Sequence, residues 1–264
     1  MWENVPVNSW RRVAADRSHT LRRYGALVGL PRAFGAESPG FLFSRRLHDI
    51  LMSIFTPAEI DTVYRVIAER RDMRHFRSDP LDEALLMRLL QAAHFAPSVG
   101  YMQPWRFIRV KSAHTRERML ELVEAERRQT ASALGERQGE FLRLKVEGLR
   151  ECAEVLVAAL CDQRDRHVFG RRTMPDMDLA SVACAIQNMW LAARAENVGM
   201  GWVSMFDPHA LRELLRMPED SRPVAILCLG RVDAFYPRPM LESEGWKSRE
   251  PLASLVFEDR WPAE

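Results

Sequence analysis

The sequence predicts an α+β fold, a central mixed β-sheet surrounded by helices, and three observations carry that expectation. Residues 155–161 and 224–232 are nearly continuous apolar runs of strand length, the pattern of strands covered on both faces. Apolar residues recur at helical spacing in two other segments, as Leu85, Leu86, Leu89, Leu90 and Ala93 and as Val182, Ile186, Met189, Trp190 and Ala193. Helical and strand patterns also alternate along the chain without an internal repeat.

Taken in order, residues 1–50 differ from the rest. Arg11, Arg12, Arg17, Arg22, Arg23, Arg32, Arg45 and Arg46 stand among Ser, Gly and Pro with no sustained periodicity. A poorly ordered Arg-rich extension is expected there, ahead of a folded domain over residues 51–264. Thr56 reads as an N-cap with Pro57 at the first helical position and Glu59 in the first turn, opening a helix that runs to about Arg70. Asp79-Pro80 repeats that signature before the leucine stripe, and Pro97 ends the second helix. Residues 105–110 form a short strand. A charged, helix-favouring stretch covers residues 115–150, with breaks at Gly135 and Gly139. The strand at 155–161 precedes a long central helix over 178–197, closed by Gly199. A strand at 200–205, a short helix capped by Asp207-Pro208 and the strand at 224–232 complete the domain. The tail from Phe235, rich in proline and aromatics, is expected to wrap over another part of the chain.

Bulk properties narrow the function classes. A formal net charge of +2 over 264 residues gives no reason to expect nucleic acid as a partner. No stretch approaches the roughly 20 apolar residues that cross a bilayer, and Met1-Trp2-Glu3-Asn4 does not open a secretory signal. A cytoplasmic protein without a membrane partner is the expectation. Cys152, Cys161, Cys184 and Cys228 are widely spaced in apolar surroundings, without a Cys-x-x-Cys pair or a His-rich partner. They are expected to be buried free thiols, with no metal site.

Chemistry concentrates in two segments. In Arg70-Arg71-Asp72-Met73-Arg74, the outer arginines stand four apart and are expected to project from one side of a helical turn. Guanidinium groups so placed suit a phosphate and the carbonyl edge of a ring. A solvated basic helix end accounts for the same spacing. Asp72 fits neither picture, because a carboxylate repels an anionic ligand unless it has chemistry to perform. The second segment, Ala96-Pro97-Ser98-Val99-Gly100-Tyr101-Met102-Gln103-Pro104-Trp105, is a small-residue loop entering a strand. Its backbone amides and the Gln103 amide suit a polar ring edge. Trp105 offers an apolar wall, although an aromatic residue entering a strand is equally an ordinary core residue.

Together these segments resemble the nitroreductase-like FMN enzymes, over about residues 56–261. That family has Ser at the position of Asp72 and Asn at that of Tyr101. The two departures, with Gly201-Trp202-Val203-Ser204, are similar to a flavin-consuming branch that breaks reduced FMN down with O2 into a benzimidazole and a sugar phosphate. The resemblance implies a homodimer with FMN at the subunit interface, and a separate flavin reductase as the partner supplying FMNH2. It implies that Arg70, Arg71, Asp72, Met73 and Arg74 contact FMN, Arg70 at the phosphate and Arg74 nearer the ring or ribityl chain. Ser98, Val99 and Gly100 would lie along the isoalloxazine, Gln103 and Trp105 would complete that wall, and Arg249 would lie near the phosphate. Asp72 becomes the general base at the ribityl C1′, and Ser204 positions flavin or oxygen intermediates. Burial beside an anionic flavin is expected to raise the Asp72 pKa, against the pull of Arg71 or Arg74. Two alternatives stay open: an NAD(P)H-dependent nitroreductase that keeps its FMN, and a non-catalytic flavin-binding module, which leaves Asp72 with nothing to do.

Overall fold

The computed structural model describes residues 54–261, so the extension expected over residues 1–50 lies outside the described residues. The described chain divides into two compact units, Ala58–Ser248 and a smaller one that takes in residues 54–57 and 249–261. The smaller unit holds a 3-10 turn, Leu252–Ser254, and an aromatic pair, Phe257 and Trp261, with ring centroids 4.8 Å apart.

The helices are α1 (Pro57–Glu69), α2 (Glu83–His94), α3 (Ala113–Ala133), α4 (Gln138–Arg143), α5 (Met177–Ala195), α6 (Pro208–Leu214) and α7 (Met240–Ser243). The strands are β1 (Trp105–Arg109), β2 (Glu154–Leu160), β3 (Gly199–Val203) and β4 (Arg222–Gly230). They form one sheet in the order β1-β2-β4-β3. Every ladder between these strands is antiparallel, with Trp105 opposite Leu160, Val155 opposite Cys228, and Gly201 opposite Cys228. Among the described residues the parallel component of the sheet is a single bridge, Asp72 to Met200, on the edge of β3 away from β4.

The continuous apolar runs are explained by helices on both faces. Leu156, Ala158 and Leu160 of β2, with Ala225, Leu227 and Leu229 of β4, pack against the stripes of α2 and α5. The alternate residues, Val155, Val157, Ile226 and Cys228, join Met119 and Val123 of α3 and Leu211 of α6 on the other face. A strand's period of two sends successive side chains into two different cores. Burial of each aliphatic chain contributes about 1.5–3 kcal/mol.

Local signals resolved differently at several points. Helix α1 stops at Glu69, so residues 70–74 are extended and Arg70 and Arg74 do not share a helical turn. The Arg71 guanidinium instead donates to the Ala68 and Arg70 carbonyls, at 2.8 Å each, and so satisfies orphan oxygens at the helix end. The N-cap of α2 is Asp82, whose side chain accepts from the Leu85 N–H at 3.2 Å. Asp79 is paired with Arg77 at 2.5 Å. Gly139 lies inside α4 and breaks nothing. After α5 the left-handed residue is Asn197, at φ 54°, and Gly199 opens β3. Cys184 is exposed, whereas Cys152, Cys161 and Cys228 are buried. Among the described residues no helix is long and apolar enough to cross a membrane.

The two aspartates ahead of α2 are separable by experiment. Asp82→Ala is expected to cost about 1 kcal/mol, the usual value of an N-cap. Asp79→Ala is expected to cost clearly less than that, because its ion pair with Arg77 is exposed. Urea unfolding midpoints of the two variants check this ordering.

Candidate active site

The Arg70–Arg74 pentapeptide adds itself to the edge of β3 through backbone and side chain together. The Met73 N–H donates to the Met200 carbonyl at 3.0 Å, and the Trp202 N–H donates to Asp72 Oδ1 at 3.0 Å. Trp190, from the α5 stripe, shares its indole N–H between the Arg71 carbonyl at 3.1 Å and the Met200 carbonyl at 3.0 Å. Met73 is fully buried beneath this junction. Helix α5, strand β3 and the extended segment therefore meet at Asp72.

Arg74 closes onto that carboxylate with a two-pronged pair, Nη1 to Oδ1 and Nη2 to Oδ2, both at 2.7 Å. It also donates to the Trp202 carbonyl at 2.8 Å and the Met73 carbonyl at 3.4 Å. Only its Nε is left, buried and without a hydrogen-bond partner. Arg74 is thus turned inward, toward Asp72, and is 8% exposed. Arg70 stacks over the Trp190 ring at 4.4 Å and adds a second positive charge near the carboxylate. Arg71 is committed to the end of α1 and to the Pro237 carbonyl at 3.1 Å.

Burial pushes the Asp72 carboxyl above its usual range, and this outweighs Arg74, the Trp202 N–H and Arg70, which all pull it down. The side chain still keeps 43% of its surface open. Its burial is that of a group set in dense protein with one open side, which water reaches.

Gly201 explains why a glycine precedes Trp202. A Cβ at this position would lie 2.3 Å from the Met73 carbonyl oxygen and 2.7 Å from Arg74 Nη1, so the pentapeptide seats directly on the bare backbone. Ser204, two residues beyond Trp202, is exposed. It lines a groove of about 420 Å³ with Trp202, Leu179, Ala183, Phe206 and Arg222.

The second segment is anchored elsewhere on α5. The Val99 N–H donates to Ser181 Oγ at 3.1 Å, and Ser98 Oγ accepts from the Gln103 N–H at 3.0 Å. Ser181 and Trp190 are nine residues apart on one helix, roughly 13 Å along its axis. Within this loop Gly100, Tyr101 and Gln103 all adopt left-handed backbone, at φ 52°, 52° and 50°. At Tyr101 and Gln103, which are not glycines, this conformation costs about 1–3 kcal/mol each. Gly100 faces Phe169, whose carbonyl oxygen would lie 2.8 Å from an added Cβ. Trp105 is a core residue, 6% exposed, with its indole N–H toward His94 Nδ1 at 3.4 Å. It supports the loop from below and does not form the open wall that the sequence suggested. Arg249 belongs to the smaller unit. Sequence reasoning missed Trp190 as more than core, and missed Tyr236, whose hydroxyl accepts from the Arg74 N–H at 3.2 Å.

This fold and this constellation define a family: residues 67–231 match the model of the Nitroreductase family, and the chain belongs to it. Among its relatives, a 5,6-dimethylbenzimidazole synthase of Rhodospirillum rubrum is 42% identical over 201 residues, covering 75% of this chain and 95% of that one. A protein of the same name from Rhodobacter capsulatus is 40% identical over 199 residues, covering 75% and 96%. Among solved structures, nitroreductase A from Vibrio parahaemolyticus aligns with a TM-score of 0.57 at 21% identity, covering 77% of each chain. At that identity the likeness speaks for the fold alone.

Gly201→Ala should unseat Met73 and Arg74. The expected cost is about 1–3 kcal/mol, as for other overpacked positions, measured by denaturant unfolding. Gly139→Ala, with nothing within 4 Å of its added Cβ, is expected to be neutral or mildly stabilising in the same assay.

Proposed function

We propose that this chain fragments reduced FMN in an O2-dependent reaction, giving 5,6-dimethylbenzimidazole and erythrose 4-phosphate, and so supplies the lower ligand of cobalamin. The observation that carries this reading is the Asp72 carboxylate, fixed at the β3 edge by Arg74 and the Trp202 N–H. It stands in a chain that covers 95% of a synthase at 42% identity. A nitroreductase that retains its flavin, or a flavin-binding module without turnover, gives that carboxylate no chemical task.

The donor set suits a phosphorylated flavin. Arg70 and Arg71 supply cations beside the β3 edge, and the Nε atoms of Arg71 and Arg74 are buried N–H groups with no partner. Reduced FMN brings the electrons for oxygen reduction and the carbon skeleton of the product. Asp72 takes a proton at the ribityl C1′ and returns it, a task its raised pKa suits, while Arg74 holds the carboxylate in one orientation. Ser204, exposed on the groove it lines, would position flavin or oxygen intermediates with its hydroxyl. Arg70 takes the phosphate. Met73 fixes the pentapeptide, and Ser98, Val99, Gly100 and Gln103 would line the ring, with the buried Trp105 supporting their loop.

A homodimer with FMN at its interface belongs to the same reading. Ile60, Val63, Tyr64 and Ile67 form an exposed apolar face on α1, and none of that helix's residues is buried. A second copy of the chain is the natural cover for such a face. FMNH2 comes from a separate flavin reductase, in the cytoplasm.

Aerobic incubation with enzymatically generated FMNH2 is expected to yield 5,6-dimethylbenzimidazole and a four-carbon sugar phosphate by mass spectrometry. Recovery of intact FMN, with steady NAD(P)H oxidation, would instead identify a nitroreductase. Asp72→Asn is expected to bind FMN and form no product, and wild-type yield from it would remove the general base.

The pH dependence has a definite sign. The base works ionised, so product formation falls as pH drops through the Asp72 pKa, which lies above the ordinary carboxylate value of 3.8. Removing the Arg74 charge lets that pKa rise further, so Arg74→Gln should move the acid limb of the pH–rate profile upward.

A further inference from the structure

We infer that residues 235–237 form a clamp that positions Asp72, with Tyr236 as its positioning residue. This rests on the reading of Asp72 as the working carboxylate. After β4 the chain turns back and runs antiparallel along the pentapeptide. The Arg77 N–H donates to the Arg231 carbonyl at 2.8 Å, the Arg74 N–H to the Tyr236 hydroxyl at 3.2 Å, and Arg71 Nη2 to the Pro237 carbonyl at 3.1 Å. As the numbers rise from 231 to 237, their partners fall from 77 to 71. Asp72 lies between the last two of these points.

The clamp is tied down at its own ends. Phe235 stacks under the Arg194 guanidinium at 4.2 Å, and Arg194 holds Glu69 at 2.6 Å, at the end of α1. The Tyr236 hydroxyl lies 2.6 Å from His75 Nδ1, and the two rings meet edge to face. Because the phenolic oxygen accepts from Arg74, its proton is available to His75 Nδ1, provided the imidazole carries its own proton on Nε2. A residue ahead of a proline such as Pro237 is biased toward extended backbone, which lowers the entropy cost of ordering Tyr236. These contacts fall on backbone and side-chain atoms of residues 71 and 74 and leave the Asp72 oxygens to Arg74 and Trp202. The clamp therefore fixes where the carboxylate stands without occupying it.

The test is Tyr236→Phe, which keeps the ring and deletes the hydroxyl. Two measurements are made on the full-length protein: amide hydrogen exchange of the peptide spanning residues 70–76, and steady-state product formation from FMNH2. The clamp predicts faster exchange of that peptide, and a fall in kcat of about fivefold with KM for FMNH2 within about twofold, on the scale of one lost neutral hydrogen bond. Unchanged exchange would overturn the inference, and so would faster exchange with an unaltered kcat. A rise in KM alone would make Tyr236 a binding residue and also overturn it. Should the wild-type protein form no product, the functional reading falls by itself, and the exchange measurement alone decides whether the clamp exists.

Discussion

The addition of a short extended segment to the edge of β3 away from β4 is the constraint on which the candidate site depends. An edge strand carries a row of unpaired N–H and C=O groups, and leaving them open invites pairing with another chain. Here Met73 N–H takes the Met200 carbonyl, while the Asp72 side chain takes the Trp202 N–H. One backbone bond and one side-chain bond thus replace a regular ladder. The substitution has a chemical consequence. A normal strand residue offers its neighbour a carbonyl, whereas this one offers a carboxylate, and so brings a titratable group to the sheet edge. Trp190 makes the junction rigid from below, since its single N–H serves carbonyls on both partners.

That carboxylate is held in balance between opposing effects. Burial favours the neutral acid, while Arg74, the Trp202 N–H and Arg70 favour the anion, and burial prevails. Asp72 lowers the cost of burying Arg74, because a guanidinium away from water without a counter-charge is costly. A serine in that position would offer Arg74 no anion. Asp72 and Arg74 therefore stabilise one another, and Gly201 makes room for Met73 and Arg74.

Much of this was legible in the sequence, and the remainder was not for identifiable reasons. The strands at residues 155–161 and 224–232 were readable because burial on both faces leaves no polar residues to blur the pattern. The helix over 178–197 was readable because its stripe is long. The pentapeptide was located but given the wrong local geometry: Arg70 and Arg74 have helical spacing, yet α1 ends at Glu69 and the edge of β3 draws the next residues into extended form. Asp79 and Asp82 carry the same capping chemistry, and only the tertiary pairing of Asp79 with Arg77 decides between them. Trp105 looked available because its type is common in ligand walls, but its indole is spent on the core. The tail from Phe235 was expected to wrap over something. What it wraps was beyond a one-dimensional reading, because the contacts of Tyr236 and Pro237 cross about 160 positions of sequence.

The arrangement also bears on how a carboxylate so tightly paired can exchange a proton. If Arg74 were held by Asp72 alone, protonation of the acid would release the guanidinium and the site would lose its shape. Arg74 is not held that way. Its bonds to the Trp202 and Met73 carbonyls do not depend on the charge of Asp72. Its backbone N–H is fixed separately by Tyr236. Asp72 can then change protonation state against a partner that stays in place, and the Trp202 N–H keeps Oδ1 oriented through the change. Oδ2 has Arg74 as its hydrogen-bond partner. It is therefore the oxygen better placed to take a proton, on a side chain that keeps 43% of its surface open. The burial that raises the pKa and the fixed dipoles that limit the rise belong to the same few residues, so the proton affinity of Asp72 is set by the way the segment docks onto β3.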